Sequence, residues 1–131
     1  MIAMMIKPLL GGMAAAMLTI LLAVQLPDPK ALVLLAVLLG FVAGVYLGFG
    51  FADGRAWEGS VELAVAVVFL GVAALGLWAS PLLLAAGFVA HAVWGLLHHP
   101  RRIRTLVSGW FPPLCSVYEV LIAAYIIYRW V

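Results

Sequence analysis

Residues 82–99, LLLAAGFVAHAVWGLLHH, form an apolar run long enough to cross a bilayer as a helix, yet they carry His91 inside the run and His98 two turns further on. An ionisable group at that depth costs several kcal/mol, on the order of 2–3 by insertion scales, unless it is paired or wet. On a 3.6-residue helix, His91, Trp94, Gly95 and His98 return to one face, because they are separated by three, four and seven residues. His99 falls about 80° round from His91.

Composition extends this reading to the whole chain. Of its 131 residues, 68% are hydrophobic and 9% charged, and the mean hydropathy is +1.26. A water-soluble fold needs more polar surface than that and is excluded. Counting stretches of about 20 apolar residues between polar and proline-containing breaks gives five spans. The expected fold is an all-α integral membrane bundle of five transmembrane helices in a single domain, 1–131, with helices at about 8–26, 31–51, 61–79, 82–99 and 113–131. Ser80-Pro81 reads as a tight connection, Ser as N-cap and Pro as first helical residue. Residues 1–26 have the outline of a signal peptide, but no small-x-small site precedes Pro27, so a retained first helix is expected.

Cations are retained on the cytoplasmic side of short loops. Placing the N-terminus inside leaves Lys7, Arg55, Arg101, Arg102 and Arg104 in the cytoplasm and only Lys30 and Arg129 outside, which predicts an N-in, C-out protein of a bacterial inner membrane. Trp57 and Trp110 then mark the inner interface, and Trp78 and Trp130 the outer. The net charge of +2 does not call for a nucleic-acid partner. The basic cluster from Pro100 to Arg104 is explained by topology and by attraction to anionic membrane lipid. The single cysteine, Cys115, can make no intrachain disulfide. Ala36, Gly40, Gly44 and Gly48 recur every four residues on the second helix, a packing face through which a homo-oligomer is expected.

The chemistry has to come from ionisable residues in the inner half of the membrane. At 1.5 Å per residue, His91 lies on the order of 12 Å from the inner end of its helix and Glu119 on the order of 9 Å from Pro113. The short turn at residues 80–81 makes helices three and four antiparallel neighbours, with Glu62 level with His99. Three uses fit this set. His91, His98, His99 and Glu119 could ligate a divalent metal ion. Glu119, His91 and Glu62 could serve as acid/base catalysts, with Trp94, Tyr118 and Trp110 binding substrate. The same pair could carry protons in a coupled transporter. Membrane diiron desaturases use many more histidines than the three present here and are rejected.

His91, Trp94, His98 and His99, followed by Trp110, Pro112, Pro113, Cys115, Tyr118 and Glu119, resemble a pattern of small uncharacterised bacterial integral-membrane proteins, His-x-x-Trp-Asp-x-x-His-His and then Trp-Tyr-Pro-Pro-x-Cys-x-x-Tyr-Asp. Gly95 stands where that pattern has an acid, and Glu119 where it has Asp. The resemblance implies a site without implying its role. By length and helix count the chain is also similar to tryptophan-rich sensory membrane proteins that bind porphyrins and sterols, an analogy of architecture only.

The leading expectation is a small membrane enzyme acting on a lipophilic, isoprenoid or lipid-like substrate by acid/base or metal-assisted chemistry. The alternatives are a proton-coupled carrier of a small hydrophobic compound and a non-catalytic ligand-binding or assembly subunit.

Overall fold

The structure is a computed structural model and describes residues 2–99 and 102–131. Five helices follow one another: α1 (Ile2–Ala23), α2 (Asp28–Asp53), α3 (Ala56–Trp78), α4 (Pro81–His98) and α5 (Phe111–Trp130). Each is long and apolar enough to cross a membrane. Large apolar side chains such as Phe41, Val67, Leu70 and Ile127 point outward, as expected of a bundle whose solvent is lipid.

The helices are longer than expected at several ends. α1 begins at Ile2 and carries Pro8 within it, because the apolar residues before Pro8 continue the helix. The break expected over residues 52–60 shrinks to Gly54 and Arg55. Gly54 adopts φ 79° and its N–H returns to the Phe51 carbonyl, a left-handed cap that glycine takes without steric cost. Trp57, Glu58, Gly59 and Ser60 are therefore helical, and Glu58 lies in the first turn of α3, where its charge suits the helix dipole. Ser80 caps α4 as expected, accepting from the Leu82 N–H at 3.2 Å. Arg101, counted among the inner cations, and Pro100 lie outside the described residues.

Packing runs in the order α2, α3, α4, α5, α1, with α1 and α2 touching only lightly, and α2 also reaches across to α4. Glycines set the close crossings. A methyl group at Gly12 would lie 2.4 Å from the Leu114 carbonyl oxygen, and one at Gly76 would lie 2.7 Å from the Leu84 Cβ. Small residues let backbones approach in this way where lipid offers no hydrophobic drive between helices. On the face expected for self-association, Gly40 already meets Leu70 of α3, whereas Gly44 and Gly48 face open space among the described residues.

At the side away from the histidines, the end of α5 is clamped to the turn between α1 and α2. Arg129 donates to the carbonyls of Ala23 and Leu26, at 2.8 and 3.1 Å, and to Asp28 Oδ1 at 2.6 Å. The Ala23 carbonyl also accepts the Leu26 N–H, so Arg129 gathers the turn that follows α1. The interior between this clamp and His91 is apolar, filled by Leu35, Leu39, Leu84, Phe88, Ile122 and Ile126, all fully buried.

The crossings give an unequal response to the same small change. Gly12→Ala forces a methyl group into backbone and is expected to cost about 1–3 kcal/mol. Gly44→Ala should stay within about 0.5 kcal/mol of wild type. Denaturation in detergent, followed by circular dichroism, checks the difference; equal losses would contradict the packing described.

Candidate functional site

α4 carries the site because its histidine face turns inward against three other helices. His91 and His98 are both buried, and so are the two carboxylates that meet them, Glu119 of α5 and Glu62 of α3. The sequence-expected group is thereby divided into two pairs.

The deeper pair is His91 Nδ1 and Glu119 Oε1, 2.5 Å apart, with neither side chain exposed. Because α5 starts at Phe111 instead of Pro113, Glu119 lies on the order of 12 Å along its helix, level with His91. Phe69 meets the His91 ring edge-on at 4.7 Å, and Tyr46 of α2 meets it at 5.2 Å. His91 Nε2, Glu119 Oε2 and Tyr46 Oη have no hydrogen-bond partner among the described residues.

The shallower pair is fully bonded. His98 Nδ1 lies 2.9 Å from the Trp94 carbonyl, which only accepts, so this nitrogen carries a proton. His98 Nε2 lies 2.7 Å from Glu62 Oε1, and two lone pairs do not face each other at that distance, so one proton lies between them. Thr105 Oγ1 donates to the same carboxylate oxygen at 2.9 Å, and Trp94 Nε1 donates to Oε2 at 3.2 Å. Tyr46 stands between the two pairs, its ring 4.8 Å from that of His98.

Thr105 belongs to the stretch 102–110 before α5, which lies over the α2–α3 corner. Asp53 Oδ2 accepts the Leu106 N–H at 2.8 Å, and Arg55 donates to the Arg104 carbonyl at 2.7 Å. The Asp53 carboxylate, bonded to Arg55 at 2.5 Å, holds that guanidinium above its ordinary pKa. The loop therefore seals the polar end of the bundle above Glu62.

Several expected roles change on this geometry. The proposed metal ligands His91, His98, His99 and Glu119 are not gathered: His98 turns to Glu62, His99 is exposed, and among the described residues no three His, Cys, Asp or Glu side chains group as a metal ion would need. Trp94 bonds the Glu62 carboxylate. Tyr118 points away from Glu119 to Thr19 Oγ1, 3.2 Å distant, and with Cys115 lines a hollow of about 290 Å³ between α1, α2 and α5. Trp110 is exposed at the polar end, against Phe111. Tyr46 and Thr105 were not expected. Tyr46 had one signal, being the only hydroxyl-bearing residue in α2; Thr105 had none, because its partner is 43 positions away.

A lipid-facing hollow of about 310 Å³ lies between α3 and α4, with Phe69 and Trp94 among its walls. Each of these aromatic residues touches one of the two pairs, so the hollow approaches the buried acid/base groups from the side.

The profile of a family of unknown function, DUF6010, matches residues 4–129. The chain belongs to that family. No curated protein and no solved structure matches it. The match spans all five helices and both His–Glu pairs, so the family extends well beyond the last third of the chain that carries the residue pattern noted above.

The shallow pair is expected to be energetically coupled through the proton its two members share. His98→Leu leaves Glu62 without its partner and should cost about 3–5 kcal/mol, whereas Glu62→Leu combined with His98→Leu should cost less than the single change. A double-mutant cycle on unfolding in detergent measures this coupling, and additive losses would contradict it.

Proposed function

We propose that the protein is a small membrane enzyme that transfers protons to and from a lipophilic substrate, isoprenoid or otherwise lipid-like, at the His91–Glu119 pair. One observation carries the reading: the two side chains are fully buried 2.5 Å apart, yet each keeps one polar atom without a partner. A purely structural pair would be expected to satisfy all its atoms, because an orphaned buried polar group costs about 1–3 kcal/mol. His91 exchanges the proton with substrate through its unpartnered Nε2, and Glu119, bonded to Nδ1, completes the acid/base unit by holding and polarising the ring.

The surroundings support turnover on a lipid-borne molecule. Substrate enters sideways through the hollow between α3 and α4, past Phe69. Toward the polar end, Thr105, Glu62 and His98 form a bonded series that closes the site on that side. The apolar interior beyond His91 favours an enzyme over a proton-coupled carrier, since the fully buried Leu39, Phe88 and Ile122 offer no polar groups for a path to the other side. Lys7, Arg55, Arg102 and Arg104 belong to the end that holds Glu62, which supports placing that end in the cytoplasm of a bacterial cell. The open Gly44 and Gly48 positions favour contact with a second copy on the α2 face.

The test is incubation of the protein in liposomes of total bacterial lipid extract in deuterated water, with mass spectrometry of the lipids. Wild type should place deuterium on carbon in at least one lipid, and Glu119→Gln should slow that incorporation about a hundredfold or more. Equal incorporation in the two proteins, or none in wild type, would overturn the reading.

A further inference from the structure

Three of the four unpartnered buried atoms, Tyr46 Oη, His91 Nε2 and Glu119 Oε2, belong to side chains brought together from α2, α4 and α5, and their chemistry is more specific than a generic acid/base site. His91 uses Nδ1 toward Glu119, which leaves Nε2 as a lone-pair base when the ring is neutral. Tyr46 supplies a phenol O–H, buried to 1% exposure and without an acceptor among the described residues. It is held in place by rings on several sides: His91, His98 and Phe111 lie 5.2, 4.8 and 5.3 Å away.

Gly95 makes room for this hydroxyl. A methyl group added there would lie 2.7 Å from Tyr46 Oη, so any side chain at Gly95 would compete with the phenol for the same space.

We propose that Tyr46 is a third catalytic residue and that the substrate is a carbonyl-bearing lipophile with a hydrogen on the carbon next to the carbonyl. This rests on the acid/base reading above and names the substrate class for the same site. Tyr46 donates a hydrogen bond to the carbonyl oxygen. His91 Nε2 takes the proton from the adjacent carbon, and the electron pair of the broken C–H bond forms the carbon–carbon double bond of an enolate. The negative oxygen is held by Tyr46, while Glu119 stabilises the imidazolium through Nδ1. Return of a proton from Nε2 to carbon restores a neutral carbonyl compound, so no oxidant or further reactant is consumed. Proton abstraction beside a carbonyl needs a base together with a donor placed where charge develops on oxygen. These are the two capacities the unpartnered atoms offer.

The probes are a long-chain methyl ketone and the alkene of the same length, added to detergent-purified full-length protein. The ketone should raise the thermal unfolding midpoint of wild type more than the alkene does, because binding to the folded state stabilises it. Protein in deuterated water should exchange the hydrogens beside the ketone carbonyl. Tyr46→Phe should keep or raise the midpoint of the unliganded protein, since its hydroxyl has no partner to lose, while losing the ketone-specific shift and about a hundredfold or more of the exchange rate. A lowered midpoint in Tyr46→Phe would reveal a structural partner and overturn the proposal. So would unchanged exchange in that variant, or equal shifts with ketone and alkene in wild type. If Glu119-dependent deuterium uptake is found only in lipids without a carbonyl, the substrate class falls and the acid/base reading stands; if it is found in no lipid, both fall.

Discussion

A carboxylate inside a helical bundle in lipid has to find a partner on another helix, and this requirement organises the molecule. Glu62 and Glu119 come from helices on either side of α4, and each meets a histidine on its inward face. Because the two histidines are seven residues apart, two turns of the same face fix the registers of α3 and α5 against α4. Sliding either neighbour by one turn would leave a buried charge unpaired, a loss larger than any single apolar contact at these crossings provides.

The remaining features follow from keeping those pairs aligned. Glycines at the crossings bring the backbones close enough for short side chains to meet, as at Gly50, where an added methyl group would lie 3.0 Å from Glu62 Cγ. The Arg129 clamp closes the far end, and the Asp53–Arg55 corner ties down the loop that delivers Thr105. Polar groups are thus concentrated in one half of the interior and apolar packing in the other. The two pairs also differ in kind. The Glu62 carboxylate is saturated with donors, whereas the His91–Glu119 pair has an unused atom on each side.

Much of this was legible in the chain itself. Five apolar runs between breaks gave five helices, and Ser80-Pro81 announced an antiparallel turn that set Glu62 beside the end of α4; the carboxylate meets His98, one position from its expected level. Periodicity also separated His98 from His99, one buried and the other exposed. What the sequence could not reveal depended on which helices face one another. Residue types alone permit His91, His98, His99 and Glu119 to share a metal ion, but the seven-residue spacing places the histidines at different depths, and each takes its own carboxylate. Tyr46 was hidden among glycines and valines whose spacing reads as packing. Its part emerges only when α2 is laid across α4.

A proton shared between His91 and Glu119 and an open His91 Nε2 are the features on which the site rests. Nitrogen-15 magnetic resonance of histidine-labelled protein in lipid bilayers reads both features directly. The expected result is a strongly deshielded proton bonded to His91 Nδ1 that disappears in Glu119→Ala, with the His98 signals retained and Nε2 of His91 free of a hydrogen bond. A His91 ring bonded through Nε2, or an Nδ1 proton unchanged when Glu119 is removed, would contradict it.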